Sequence, residues 1–201
     1  MVQDIQTIAD VWRTVATSRS FVHPFDEPAL SQSTARFPNR RVPEPWFGNP
    51  GLAKIFILTL NPGHGNNDGN HSTKTHDFFW SMMGCKADYS DYLASISADG
   101  LVWGRRHYGD FLEHSMSKIC NLRLVAYPSP DKAAMGNMSA APADALPTAK
   151  LMRDFVHSSL VPAARKGRCL LLVMRSPRDW GFGTPETDSW DNGLFVSRSL
   201  R

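Results

Sequence analysis

Residues 54 to 63 read Lys54-Ile55-Phe56-Ile57-Leu58-Thr59-Leu60-Asn61-Pro62-Gly63. The run from Ile55 to Leu60 is apolar without polar alternation, the pattern of a central strand covered on both faces. It stops at an amide, a rigid proline and a permissive glycine, three residues that favour turns. A polar loop follows, with Gly63, Gly65 and Gly69 among Asn66, Asn67, Asp68 and Asn70. A helix-like segment then carries Phe78-Phe79-Trp80. The strand therefore ends on a polar side chain at the rim of a sheet, where open α/β folds hold their ligands.

Working outward, strands are expected over 54–60, 122–127, 168–174 and 194–198. Helical spacing of Ile5, Ile8, Trp12 and Val15 predicts a helix over 4–17. Further helices are expected over 73–83, 88–96, 105–119 and 147–160, the last opening on Pro147 and limited by Pro162. Six prolines between Ser18 and Gly51 predict a long ordered loop with one short helix near Asp26. Residues 128–146, rich in Pro, Ala, Ser, Gly and Met, read as a second loop. Strands alternating with helices define the class: α/β, a three-layer αβα arrangement with a central, mostly parallel sheet. The 201 residues suit a single domain over 1–201.

The formal net charge of +3 is a mild hint of an anionic partner and no more. Cys85, Cys120 and Cys169 lie far apart with no Cys-x-x-Cys pair, so no zinc ribbon or iron–sulfur cluster is expected. Free thiols suit a reducing, cytoplasmic compartment. Residues 1–18 carry Asp4, Asp10 and Arg13 and do not read as a signal peptide. No apolar run approaches the ~20 residues needed to cross a bilayer, so no membrane partner is expected. A monomer without cofactors is the expectation.

Two loops are candidates for chemistry, Asn61 to Ser72 and Arg175 to Gly183. Both follow buried strands, so in a parallel sheet they share one edge and face each other if the strands are neighbours. Asn-Pro-Gly is also an ordinary strand-ending turn, and Arg175, Arg178 and Trp180 are equally read as two solvated cations and an anchoring indole. His64, His71 and His76 crowd the first loop with Asp68 and Asp77, but their spacing matches no zinc pattern, so no metal is expected. His107, beside Arg105-Arg106 at a helix start, is a candidate for reaching the cleft.

Leu60-Asn61-Pro62-Gly63, followed eighteen residues after Asn61 by Phe79-Trp80, resembles the first motif of the uracil-DNA glycosylase superfamily, nearest its mismatch-specific uracil/thymine branch. Pro45-Trp46-Phe47-Gly48-Asn49-Pro50 is similar to a segment of glycosylase-like relatives, and the match covers residues 44–81. Arg175-Ser176-Pro177 stands where the family's second motif has Asn or His, then Pro, then Ser.

The resemblance implies a uracil-DNA glycosylase-like fold and a monofunctional DNA glycosylase. Such an enzyme flips a base out of DNA and hydrolyses its N-glycosidic bond to leave an abasic site. It implies a catalytic role for Asn61; His107, from its place at a helix start, is the catalytic candidate to assist the leaving base. Pro62, Gly63, His64, Asn66 and Phe79 would bind substrate, and Arg175, Ser176, Arg178 and Trp180 would bind DNA. The target is uracil or a modified pyrimidine. The amide-rich loop 63–70 suits a glucosylated hydroxymethylcytosine of phage DNA, and hence anti-phage defence. The alternative is a non-catalytic DNA-binding or damage-sensing module with the same fold.

Overall fold

A computed structural model describes residues 5–17, 21–37, 42–63, 83, 118–129, 131–174, 176–183, 189–191 and 194–196. The chain is an α/β protein. Among the described residues its sheet has six strands: β1 (Trp46–Phe47), β2 (Ile55–Thr59), β3 (Ile119–Arg123), β4 (Leu170–Val173), β5 (Ser189–Asp191) and β6 (Leu194–Val196). Their spatial order is β1-β3-β2-β4-β6-β5. Strands β3, β2, β4 and β6 run parallel, while β1 and β5 are antiparallel edges.

The apolar run behaves as its composition dictates. Phe56, Ile57 and Leu58 are buried at the middle of the sheet, and all five residues of β3 are buried beside them. The chain leaving β2 passes to β3 on one side, whereas the chain leaving β4 passes to β6 on the other. Adjacent strands β2 and β4 thus send their exits in opposite directions. In open α/β sheets that reversal marks the crevice at the carboxyl ends of the strands.

Helix α1 (Ile5–Arg13) buries Ile8, Ala9 and Trp12 on one face and continues as a 3-10 turn over Thr14–Thr17. Helix α2 (Glu27–Ser31) is the short helix expected near Asp26. Helix α4 (Pro147–Phe155) buries Ala149, Met152 and Phe155. Its first turn has no local side-chain cap. The carboxylate of Asp26 caps it from a distant segment, accepting from the Thr148 N–H at 3.0 Å and from the Thr148 hydroxyl. Tyr127 donates to the same carboxylate at 2.7 Å. A carboxylate at a helix N-terminus satisfies donors that the helix itself leaves unpaired.

Several expected boundaries move. The helix expected to reach 119 gives way to β3 at Ile119, so the strand expected over 122–127 begins three residues earlier. Leu124 and Val125 still donate to Thr59 and Leu60 carbonyls, at 3.1 and 2.8 Å. The loop expected over 128–146 contains a 3-10 stretch, Ala133–Ser139, and the short helix α3 (Pro142–Ala145). Pro162 does not end the fourth helix. A π-helical turn, Val156–Leu160, precedes it, and α5 (Val161–Arg165) follows. The wider turn relieves the clash a proline ring makes with the carbonyl four residues back.

Strands β1 and β5 were not expected. Beside β1, Gly48 has φ +91° and a Cβ there would sit 2.2 Å from the Ile119 carbonyl oxygen, so no other residue allows this approach to β3. The helices expected over 73–83, 88–96 and 105–117 lie outside the described residues, apart from a helical Met83.

Candidate functional site

Three loops meet at the carboxyl edge of the sheet. They follow β2 (Asn61-Pro62-Gly63), β3 (from Leu124 through Lys132) and β4 (from Ser176 to Gly183). Asn61 is half-buried, Pro62 is buried and Gly63 is exposed. A Cβ built on Gly63 meets nothing within 4 Å among the described residues.

The Asn61 amide is oriented by its partners. Nδ2 donates to the Ser129 hydroxyl at 2.6 Å and to the Pro62 carbonyl at 3.0 Å. The Ser129 hydroxyl spends its own proton on the Asp131 carbonyl at 2.8 Å, so toward Asn61 it can only accept. A carbonyl likewise only accepts. Both amide protons are therefore committed, and the side-chain oxygen has no partner among the described residues. The Ser129 N–H also donates to the Pro62 carbonyl at 3.0 Å, tying the first and second loops together at two points.

The third loop closes the other side. Ser176 has φ +55°, a left-handed conformation uncommon for a side-chain-bearing residue. From there the chain coils through a tight turn, with Asp179 and Trp180 N–H groups donating to the Ser176 carbonyl at 3.0 and 3.3 Å. Lys132 bridges to Asp179 at 2.9 Å, which joins the second loop to the third. The Trp180 indole donates to the Thr59 carbonyl at 3.2 Å, which joins the third loop to β2. His157, on the π-helical turn, donates from Nε2 to the Trp180 carbonyl at 2.6 Å and packs on the Phe182 ring. Gly181, with φ +80°, lets the chain pass this imidazole. A Cβ there would lie 3.1 Å from Nε2.

Farther back, Tyr127 anchors the root of the second loop. Its hydroxyl donates to Asp26 and accepts from the His23 N–H at 3.1 Å. Burial, reinforced by the Asp26 carboxylate, pushes the Tyr127 phenol far above its ordinary range.

Asn61, Pro62, Gly63, Ser176 and Arg178 thus lie in loops that meet at one edge. Arg178 is exposed, with a partner of its own. Trp180 corrects an expectation. It was expected to bind DNA, but its side chain is fully buried and its one donor is taken by the protein. The indole has no face to offer a base and serves as the anchor of the third loop. His64, Asn66, Phe79, His107 and Arg175 lie outside the described residues, as do Arg40-Arg41, Arg105-Arg106, His71 and His76.

Sequence reasoning missed Ser129, Lys132 and Asp179. The signal was weak but present. Pro128-Ser129-Pro130-Asp131 follows an apolar run, as Asn61-Pro62-Gly63 does, and a proline-bracketed serine at a strand end marks a fixed turn.

Cys169 is a half-buried free thiol. Burial raises its thiol pKa, and nearby Lys54 opposes the shift. Among the described residues no group of three or more His, Cys, Asp or Glu side chains is placed to hold a metal ion. No helix among them is long and apolar enough to cross a membrane. No family model, no curated protein and no solved structure matches this chain.

Proposed function

We propose that this chain is a monofunctional DNA glycosylase of the uracil-DNA glycosylase type, acting in the cytoplasm on an everted pyrimidine. The observation that carries the reading is the Asn61 side chain. It sits at the β2/β4 reversal with both amide protons bound and its oxygen unpartnered among the described residues, which suits it to accept a hydrogen bond from a water. Asn61 Oδ1 would orient that water toward C1′ of the sugar. The bond from C1′ to the base nitrogen breaks, and its electron pair leaves with the base. The water oxygen bonds C1′, and its proton is released to solvent or to the departing base. The Gly63 backbone, with no described residue within 4 Å of a Cβ built on it, would face the edge of the base.

An amide carries no charge to stabilise the developing sugar cation, so the chemistry favours a base that leaves readily or pairs weakly. Uracil and a glucosylated hydroxymethylcytosine are the two targets the reading supports, the latter as a defence against phages with modified DNA. The free thiols Cys120 and Cys169 accord with a reducing compartment.

The test is to incubate the purified chain with uracil-containing duplex, phage DNA bearing glucosylated hydroxymethylcytosine, and unmodified DNA, then count abasic sites. Abasic sites on one modified substrate and none on the unmodified control are expected. Tight binding to an abasic-site analogue with no base release on any substrate would instead identify a damage-sensing module.

A further inference from the structure

The opposite edge of the sheet carries a different chemistry. Lys54 immediately precedes β2, Lys118 precedes β3, and Arg168 with Cys169 precedes β4. The starts of the three strands are in register. The Lys54 N–H donates to the Lys118 carbonyl at 2.8 Å, and the Leu170 N–H donates to the Lys54 carbonyl at 2.7 Å. Neighbouring strands stand ~4.8 Å apart, so three adjacent starts span about 10 Å.

Helix α5 delivers two more cations to the same edge. Arg165 closes it, Lys166 and Gly167 turn the chain, and Arg168 enters β4. The turn is held by Gly167 N–H on the Ala164 carbonyl at 2.8 Å and Arg168 N–H on the Ala163 carbonyl at 3.0 Å.

Lys54, Lys118, Arg165, Lys166 and Arg168 are all exposed. None of the five enters an ion pair among the described residues, whereas Lys132, Lys150 and Arg153 each pair with an aspartate. No acidic residue occurs in the stretches 51–55 or 161–171. Helix C-termini favour cations, which accounts for Arg165 and Lys166 but not for Lys54 and Lys118 on separate strands.

We propose that this edge is a second, sequence-independent contact surface for the phosphate backbone of a nucleic acid, separate from the Asn61 crevice. Asp191 ends β5 at this same edge, two strands from β4, but the five exposed cations outnumber it and none pairs with an acid among the described residues, which complements a polymer that carries one charge per ~1.7 Å of duplex axis. A membrane surface fits less well. Leu52 is the one large exposed apolar residue beside the patch among the described residues, too little apolar surface there to insert into a bilayer interface. Residues at the two edges are separated by the full strand length, about 17 Å for five residues. The basic edge therefore holds phosphates that the crevice does not reach, and its action needs no chemistry at Asn61.

The experiment measures binding of the full chain to a labelled mixed-sequence duplex without modified bases, by fluorescence anisotropy from 50 to 200 mM salt. The triple variant Lys54→Gln/Lys166→Gln/Arg168→Gln is compared with the wild type, with Asn61→Ala, and with the charge-retaining Lys54→Arg/Lys166→Arg/Arg168→Lys. Neutralising three phosphate contacts should make the slope of log affinity against log salt shallower by ~2.7, at ~0.9 per contact. Asn61→Ala and the charge-retaining variant should keep the wild-type slope, which separates this surface from the catalytic reading. An unchanged slope in the neutralised variant overturns the proposal. So does an equal loss in the charge-retaining variant, which would mark a structural effect. Loss of binding to phosphatidylserine vesicles with an unchanged DNA slope would overturn it in favour of a lipid surface.

Discussion

The two edges of the sheet use polar side chains in opposite ways. At the carboxyl edge they are spent on one another: Asn61 on Ser129, Lys132 on Asp179, and the Trp180 indole on the Thr59 carbonyl. At the amino edge Lys54, Lys118, Arg165, Lys166 and Arg168 stand exposed and unpaired among the described residues. Chemistry on a single bond needs groups fixed within a fraction of an ångström, and fixing requires partners. Attraction to a repeating polyanion needs only charge, and pairing would cancel it. On the two proposals above, the tied edge would orient a reacting group and the untied edge would attract a polyanion.

The largest test of the tied edge is Trp180→Ala. Removing a fully buried indole should cost about 3–5 kcal/mol in urea denaturation. A cost below about 1 kcal/mol would mean that Trp180 is not the anchor described, and would reopen a role for it at the DNA surface.

Tyr127 tests how firmly the second loop is rooted. Its phenol titrates higher in the folded chain than its ordinary value of about 10, so the folded state holds the proton that the unfolded state releases. The associated stability is complete below pH 10 and falls as pH rises above it, by about 1.4 kcal/mol per unit. Urea midpoints of wild type and Tyr127→Phe measured from pH 9 to 11 should converge as pH rises. A constant gap would place the phenol in solvent.

Ser129→Ala releases the Asn61 amide without touching substrate. A loss of about 1 kcal/mol in orientation corresponds to roughly fivefold in kcat, with KM little changed and Ser129→Thr restoring part of the loss. A rise in KM alone would make Ser129 a binding residue instead. The smallest effect is expected from Lys132→Ala. Lys132 is half-exposed, so its bridge to Asp179 should contribute under about 1 kcal/mol to stability. A larger effect would show the second and third loops to be coupled more tightly than one ion pair explains.

What the sequence made legible was what periodicity records. The apolar runs around Phe56 and Leu171 announced parallel strands, and Ile8 with Trp12 announced α1. The position of Asn61 at a strand end was equally plain from Pro62 and Gly63. What stayed hidden depends on partners far along the chain. The Asn61–Ser129 bond spans 68 residues, and the Asp26 cap on α4 spans 122, so no local pattern carries either. Trp180 misled because a tryptophan beside two arginines looks alike whether its ring turns outward or inward. The helix running through Pro162 was missed because the π-helical turn that admits the proline has no residue signature of its own.

In the proposed chemistry, the oxygen of the fixed Asn61 amide directs the water that releases a base. The most direct test compares abasic-site formation by wild type and Asn61→Ala on whichever modified duplex the wild type cleaves, at saturating DNA. Asn61→Ala is expected to bind that duplex with unchanged affinity and to lose on the order of 100-fold or more in rate. A variant that keeps the wild-type rate would move the chemistry away from this crevice and contradict the account.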